Sequence, residues 1–183
     1  MAHLVIDIGN SRTKFATFYK GKLEESGTID RLDTAQLNLL LENHKITHSI
    51  ISSVNDEISK LEDILKDRTK YIRFSSSVKA GVINKYKSPE TLGLDRFAGV
   101  IGAKSLFPDT NCLVIDAGTC ITYDAVDGAG IYEGGSISPG LKMRLKAMHK
   151  FTGRLPEVEF SDYSDWRGYD TQSAMLSGVL NGC

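Results

Sequence analysis

Val5-Ile6-Asp7-Ile8-Gly9-Asn10-Ser11-Arg12-Thr13-Lys14 sets the plan for everything around it. A short apolar run ends in an aspartate, followed by a glycine turn with small polar residues and then a lysine. This order suits a strand that delivers a carboxylate to its end and turns tightly beneath a phosphate. Gly9 lets the backbone approach an anion closely. Asn10, Ser11 and Thr13 add neutral donors, and Lys14 adds a positive charge.

The pattern returns at Val114-Ile115-Asp116-Ala117-Gly118-Thr119-Cys120-Ile121-Thr122-Tyr123-Asp124-Ala125, which aligns with Val5 to Ala16 at a constant offset of 109. A lone Asp-x-Gly also marks ordinary turns. Two copies of a strand–Asp–x–Gly–polar unit point to a duplicated fold with a nucleotide between the halves, 1–110 and 111–183.

The 183 residues suffice for one medium domain or two small ones. At 41% hydrophobic and 25% charged the chain has a globular composition, and a net charge of −1 offers no electrostatic footprint for nucleic acid. No apolar run approaches the roughly 18 residues of a membrane span, and the N-terminus enters a strand with no signal-like segment. Cys112, Cys120 and Cys183 lack metal-type spacing. A cytoplasmic protein that binds neither nucleic acid nor membrane is expected. His44 and His48 have the spacing of a zinc pair, but Lys45 stands where a glutamate base would be needed, so both read as surface histidines.

In chain order, strands are expected at Leu4 to Ile8, Phe15 to Tyr19 and Leu23 to Ile29, with a hairpin at Lys20-Gly21-Lys22. This meander feeds a mixed sheet. Helices follow at Thr34 to Asn43, capped by Thr34, and at Asp56 to Asp67, with strands at His48 to Val54 and Tyr71 to Phe74. A helix from about Thr91 to Phe107 carries the apolar stripe Leu94, Phe97, Ala98, Ile101 and Leu106. Asp95 in its first turn is favoured by the helix dipole, which gives Arg96 nothing. The adjacent pair therefore suggests either simple capping or an oriented arginine ready to fork onto a carboxylate or phosphate. Gly134 to Gly140 reads as a shaped loop, Leu141 to Phe151 as a helix, Phe151 to Asp170 as an irregular lid or interface segment, and Thr171 as the cap of a last helix.

Four signatures thus stand in order: Asp7-x-Gly9-Asn10-Ser11-x-x-Lys14, Leu92-Gly93-x-Asp95-Arg96, Asp116-x-Gly118-Thr119-x-x-Thr122 and Gly134-Gly135-x-Ile137-x-Pro139-Gly140. Together they resemble the type III pantothenate kinases, from residue 4 to about residue 180. The resemblance implies an α/β protein with a duplicated ribonuclease H-like (actin-like ATPase) fold, its mixed sheets flanked by helices. It also implies ATP-dependent phosphorylation of pantothenate to 4'-phosphopantothenate, the first step of coenzyme A synthesis, by a homodimer that uses Mg-ATP and a monovalent cation, potassium or ammonium.

By motif position, Asp7, Ile8, Gly9, Asn10, Ser11, Arg12, Thr13 and Lys14 resemble the family's first phosphate loop, with Asp7 facing magnesium through water, and Thr119 belongs to the second. Asp116 resembles the monovalent-cation ligand. Gly93, Leu94, Asp95 and Arg96 resemble the substrate-binding segment with Asp95 as proton acceptor, and Tyr86 and Thr171 match further pantothenate contacts. Family members continue past the last helix here, so the second half is expected to be C-terminally incomplete. Two alternatives are a non-catalytic nucleotide-binding regulator on the same fold and another actin-like small-molecule kinase.

Overall fold

The computed structural model describes residues 1–9, 12–53 and 58–182. Asn10 and Ser11 of the first turn, the expected start of the second helix and Cys183 lie outside them. The chain divides into two compact units, Met1–Val78 and Lys79–Cys183.

In the first unit, β1 (Ala2–Ile8), β2 (Thr13–Tyr19) and β3 (Lys22–Ile29) form the expected antiparallel meander. Lys20 and Gly21 join β2 to β3 with φ of 50° and 77°, the two positive values that a tight primed turn requires. β4 (Ile46–Ser53) lies parallel to β1 on its other side and β5 (Lys70–Arg73) parallel to β4, so the sheet order is β3-β2-β1-β4-β5. This is the mixed sheet of a ribonuclease H-like fold. Strand periodicity turns Ala2, Leu4 and Ile6 inward and leaves His3 and Val5 outside. Against the inner face pack Leu37 and Leu41 of α1 (Thr34–Asn43) and Leu61 and Leu65 of α2 (Ser59–Arg68).

The cap of α1 is Asp33, one residue before the threonine expected to fill that role. Its carboxylate accepts from the Gln36 amide at 2.7 Å while the Gln36 side chain accepts from the Asp33 amide. His44 ends α1 and pairs with Glu25 at 2.8 Å, whereas His48 lies on β4. No metal-ligand cluster occurs among the described residues.

Glu62 fastens α2 to β5. One of its oxygens accepts from the Tyr71 hydroxyl and from the Arg73 guanidinium, each at 2.6 Å. The hydrogen bond from Tyr71 foremost, then that from Arg73, holds the Glu62 carboxyl below its ordinary 4.5. Its stabilising contribution is therefore complete above that ordinary value and is lost as pH falls through the lowered folded-state value. Glu62→Gln should lower the melting temperature at pH 6, and the gap to wild type should narrow by pH 3. Thermal unfolding at both pH values checks this; a gap that stays constant contradicts it.

The second unit repeats the meander with β7 (Cys112–Ala117), β8 (Cys120–Val126) and β9 (Ile131–Pro139). The short β6 (Ile83–Asn84) joins parallel to β9, giving the order β6-β9-β8-β7. Of the stretch expected as a Gly134 to Gly140 loop, Gly134 to Pro139 are the second half of β9, paired to β8, and Gly140 caps α4. α3 (Leu94–Leu106) starts after a short 3-10 turn at Pro89–Thr91, not at Thr91. It buries Arg96, Phe97 and Val100, while Leu106 is 75% exposed, so the apolar stripe read from the sequence is only partly the inner face. α4 (Leu141–Phe151) and α5 (Thr171–Asn181) share a core of Leu145, Met175, Leu176 and Val179.

Asp170 caps α5, again one residue before the expected threonine, and accepts from the Ser173 amide at 2.7 Å. The irregular segment between α4 and α5 is tied down. Val158 enters the α4–α5 core, the Ser177 hydroxyl donates to the Trp166 carbonyl, and Gly168 lies so close to the Ala174 backbone that a Cβ has no room.

Candidate active site

The two repeated turns are related but not identical. In the first, Asp7, next to last in β1, lies directly opposite Lys14 on β2, so both side chains occupy one face of the sheet. The turn closes with the Gly9 amide donating to the Arg12 carbonyl at 3.0 Å. A Cβ on Gly9 would stand 3.3 Å from that same oxygen. In the second, Asp116 lies opposite Thr122, and the Gly118 amide donates to the Cys120 carbonyl at 2.9 Å. The second turn is one residue shorter. The offset of 109 therefore holds as far as Gly9 and Gly118 and shifts by one beyond them. Asp7 is half-buried, while Lys14, Asp116 and Thr119 are exposed.

Gly140 seats the second turn. Its amide donates to the Thr119 carbonyl at 3.0 Å, and a Cβ there would collide with the carbonyls of Gly118 and Thr119. Beside this turn lies a cavity of about 770 Å³, lined by Ala117 and Ile121 and by Lys142 and Lys146 of α4. The sequence reading missed these lysines, although two basic residues four apart on the helix after Gly140 are a visible signal.

Asp95 and Arg96 open α3 as expected, and they face different surroundings. Asp95 is exposed, and its carboxylate accepts from the Arg96 amide at 2.8 Å in the positive first turn of the helix. Gly93 makes room for it: a Cβ there would stand 2.6 Å from the Asp95 Oδ1. Arg96 turns inward with 5% of its side chain exposed. The carboxylate its fork meets is that of Asp124 on β8. The Arg96 Nε lies 3.0 Å and 3.2 Å from the two Asp124 oxygens, and Nη2 lies 2.6 Å from Oδ1. The hydrogen bond with Asp124 pushes the guanidinium pKa still further up.

The Tyr132 hydroxyl also donates to Asp124, at 2.8 Å, and burial raises the pKa of that phenol. Tyr86 stacks on Tyr132 with ring centroids 6.2 Å apart and takes the Arg96 guanidinium over its face at 5.6 Å. Asp124 and Tyr132 escaped the sequence reading because nothing local marks them; only the sheet register brings them beneath Arg96. Thr171, at the exposed start of α5, is relieved of capping by Asp170.

The sequence model of the type III pantothenate kinase family matches residues 3–183. The type III pantothenate kinase of Bacteroides fragilis is 41% identical over 181 residues, covering 98% of this chain and 74% of its own. That of Phocaeicola vulgatus is 42% identical over 184 residues, covering 98% and 75%. Among solved structures, a protein described as a Baf family transcriptional activator from Campylobacter jejuni superposes with a TM-score of 0.55 at 25% identity, covering 98% of this chain and 74% of that one. An ordered set of motifs, a repeated meander and a family match along nearly the whole length lead to one statement: the chain belongs to the type III pantothenate kinase family.

Proposed function

We propose that this chain transfers the γ-phosphoryl group of Mg-ATP to the primary alcohol of pantothenate with Asp95 as the proton acceptor. The reaction itself, ATP-dependent phosphorylation of pantothenate at the head of coenzyme A synthesis, follows from the family. The observation that carries the residue assignment is the exposed Asp95 carboxylate, fixed in the first turn of α3 over a glycine that admits no side chain.

An alcohol is far less acidic than a carboxylic acid, so Asp95 does not deprotonate it beforehand. It orients the hydroxyl and takes the proton late, as the new bond to phosphorus acidifies the oxygen. Phosphoryl transfer asks the protein mainly for position and charge neutralisation. In this reading Asp7, Ile8, Gly9, Asn10, Ser11, Arg12, Thr13 and Lys14 serve the phosphates from the first turn, and Thr119 serves them from the second. The cavity beside Thr119, with Lys142 and Lys146 in its lining, has the size and charge for part of a nucleotide.

Asp7 would hold magnesium through water, as suits a hard cation that keeps its hydration, and the ion would neutralise phosphate charge. Asp116, an exposed carboxylate beside a turn of backbone carbonyls, has the oxygen donors a monovalent cation takes. Pantothenate would be held by Tyr86, Gly93, Leu94, Asp95, Arg96 and Thr171. Arg96 would use the Nη1 end that lies outside its fork with Asp124. A homodimer in the cytoplasm belongs to the same reading.

Incubation with Mg-ATP, potassium and pantothenate should yield 4'-phosphopantothenate, detectable by mass, while hexoses and acetate should give no product. A folded preparation that makes none from pantothenate refutes the assignment.

A further inference from the structure

Three segments converge on Asp124 of β8, two directly and one through them. Arg96 reaches it from the start of α3, Tyr132 from the neighbouring strand β9, and Tyr86 lies over both Arg96 and Tyr132 from the loop after β6. Strand β9 is shaped around the group. A Cβ on Gly135 would stand 2.6 Å from Asp124 Oδ1 and collide with the Tyr123 carbonyl. A Cβ on Gly134, whose φ is +130°, would stand 3.1 Å from the Tyr86 ring. Asp124 and Arg96 are 1% and 5% exposed as side chains.

Burying such a pair is a poor route to stability, because desolvating two charges cancels much of their attraction. What the pair gives instead is direction. A bidentate fork fixes the guanidinium plane, and the guanidinium lies over the face of the Tyr86 ring at 5.6 Å. We propose that Asp124 is a positioning residue of the kinase: through Arg96 and Tyr132 it fixes the Arg96 guanidinium and the Tyr86 ring where they receive pantothenate, without touching the substrate itself. The role rests on the reading that Tyr86 and residues 93–96 form the pantothenate site.

Two variants of the full chain test it. Tyr132→Phe removes one donor to Asp124 and keeps the ring that stacks on Tyr86. Asp124→Asn keeps the shape and removes the charge that orients the fork. Steady-state rates are measured with pantothenate varied at saturating ATP, and then with ATP varied at saturating pantothenate. The expected result is a rise in the KM for pantothenate of about tenfold or more for Asp124→Asn and of roughly threefold for Tyr132→Phe, with the KM for ATP within about twofold of wild type in both.

If Asp124→Asn does not fold, Tyr132→Phe decides alone: a rise confined to pantothenate supports the role, and an unchanged value overturns it. Losses that fall equally on both substrates also overturn it, since general damage would do the same. A wild-type chain that makes no phosphopantothenate removes the functional reading and this role together. A wild-type chain that does, alongside two variants with unaltered kinetics, removes this role only.

Discussion

Asp95→Asn should lower kcat by about 10²- to 10⁴-fold, the range supplied by a well-placed proton acceptor, while leaving the melting temperature within a degree or two of wild type. The carboxylate is exposed and accepts a hydrogen bond from the Arg96 amide. An asparagine oxygen accepts that bond equally well, so the start of α3 should hold its shape. What disappears is the capacity to take a proton as the pantothenate oxygen bonds to phosphorus. The loss should fall on kcat and on kcat/KM together, since proton transfer belongs to the transition state and not to ground-state binding. Burst and steady-state measurements of phosphopantothenate with saturating substrates would read it directly. Retained turnover with a normal melting curve would remove Asp95 from the chemistry and leave it a helix-start carboxylate.

The second large effect concerns stability. Arg96→Met should destabilise the second unit by about 3–5 kcal/mol, the usual consequence of leaving a buried charge without its partner. Asp124 would keep the Tyr132 hydroxyl but lose all three contacts to the guanidinium. Against a typical total of about 5–15 kcal/mol this is severe, and the unfolding midpoint should drop by on the order of 10 °C. Adding Asp124→Leu to Arg96→Met should restore most of the loss, because a matched apolar pair avoids the desolvation that the ion pair must overcome. Denaturant titration of the single and double variants gives the comparison. A double variant no more stable than the single would show that the network holds the fold through something other than paired charge.

Much of this fold could be read from short-range patterns. The meander followed from alternating apolar residues and a Lys-Gly hairpin, and the repeat followed from two matching strand–Asp–x–Gly segments. The adjacency of Asp95 and Arg96 at a helix start was also legible, because helix-start chemistry depends on only a few residues. The misreadings have physical causes. Thr34 and Thr171 suit the cap positions because threonine caps helices well. In each case a preceding aspartate, Asp33 or Asp170, caps at least as well and is accompanied by a side chain that reaches back to it. Gly134 to Gly140 looked like a loop because glycine weakens strands. In the structure Gly134 and Gly135 leave room for a ring and a carboxylate that come from elsewhere in the chain. Which carboxylate Arg96 would meet was unreadable: Asp124 is 28 residues away, and only the packing of α3 against β8 brings the two together.

The unequal lengths of the two hairpins leave an asymmetry between the two matching segments. In the first, the longer turn puts Lys14 across the sheet from Asp7. In the second, the shorter turn puts the hydroxyl of Thr122 in that place, and Asp116 gains no balancing side chain from the neighbouring strand. A difference of one residue in hairpin length thus decides what stands across the sheet from each aspartate, an ammonium-bearing side chain in one copy and a hydroxyl-bearing one in the other.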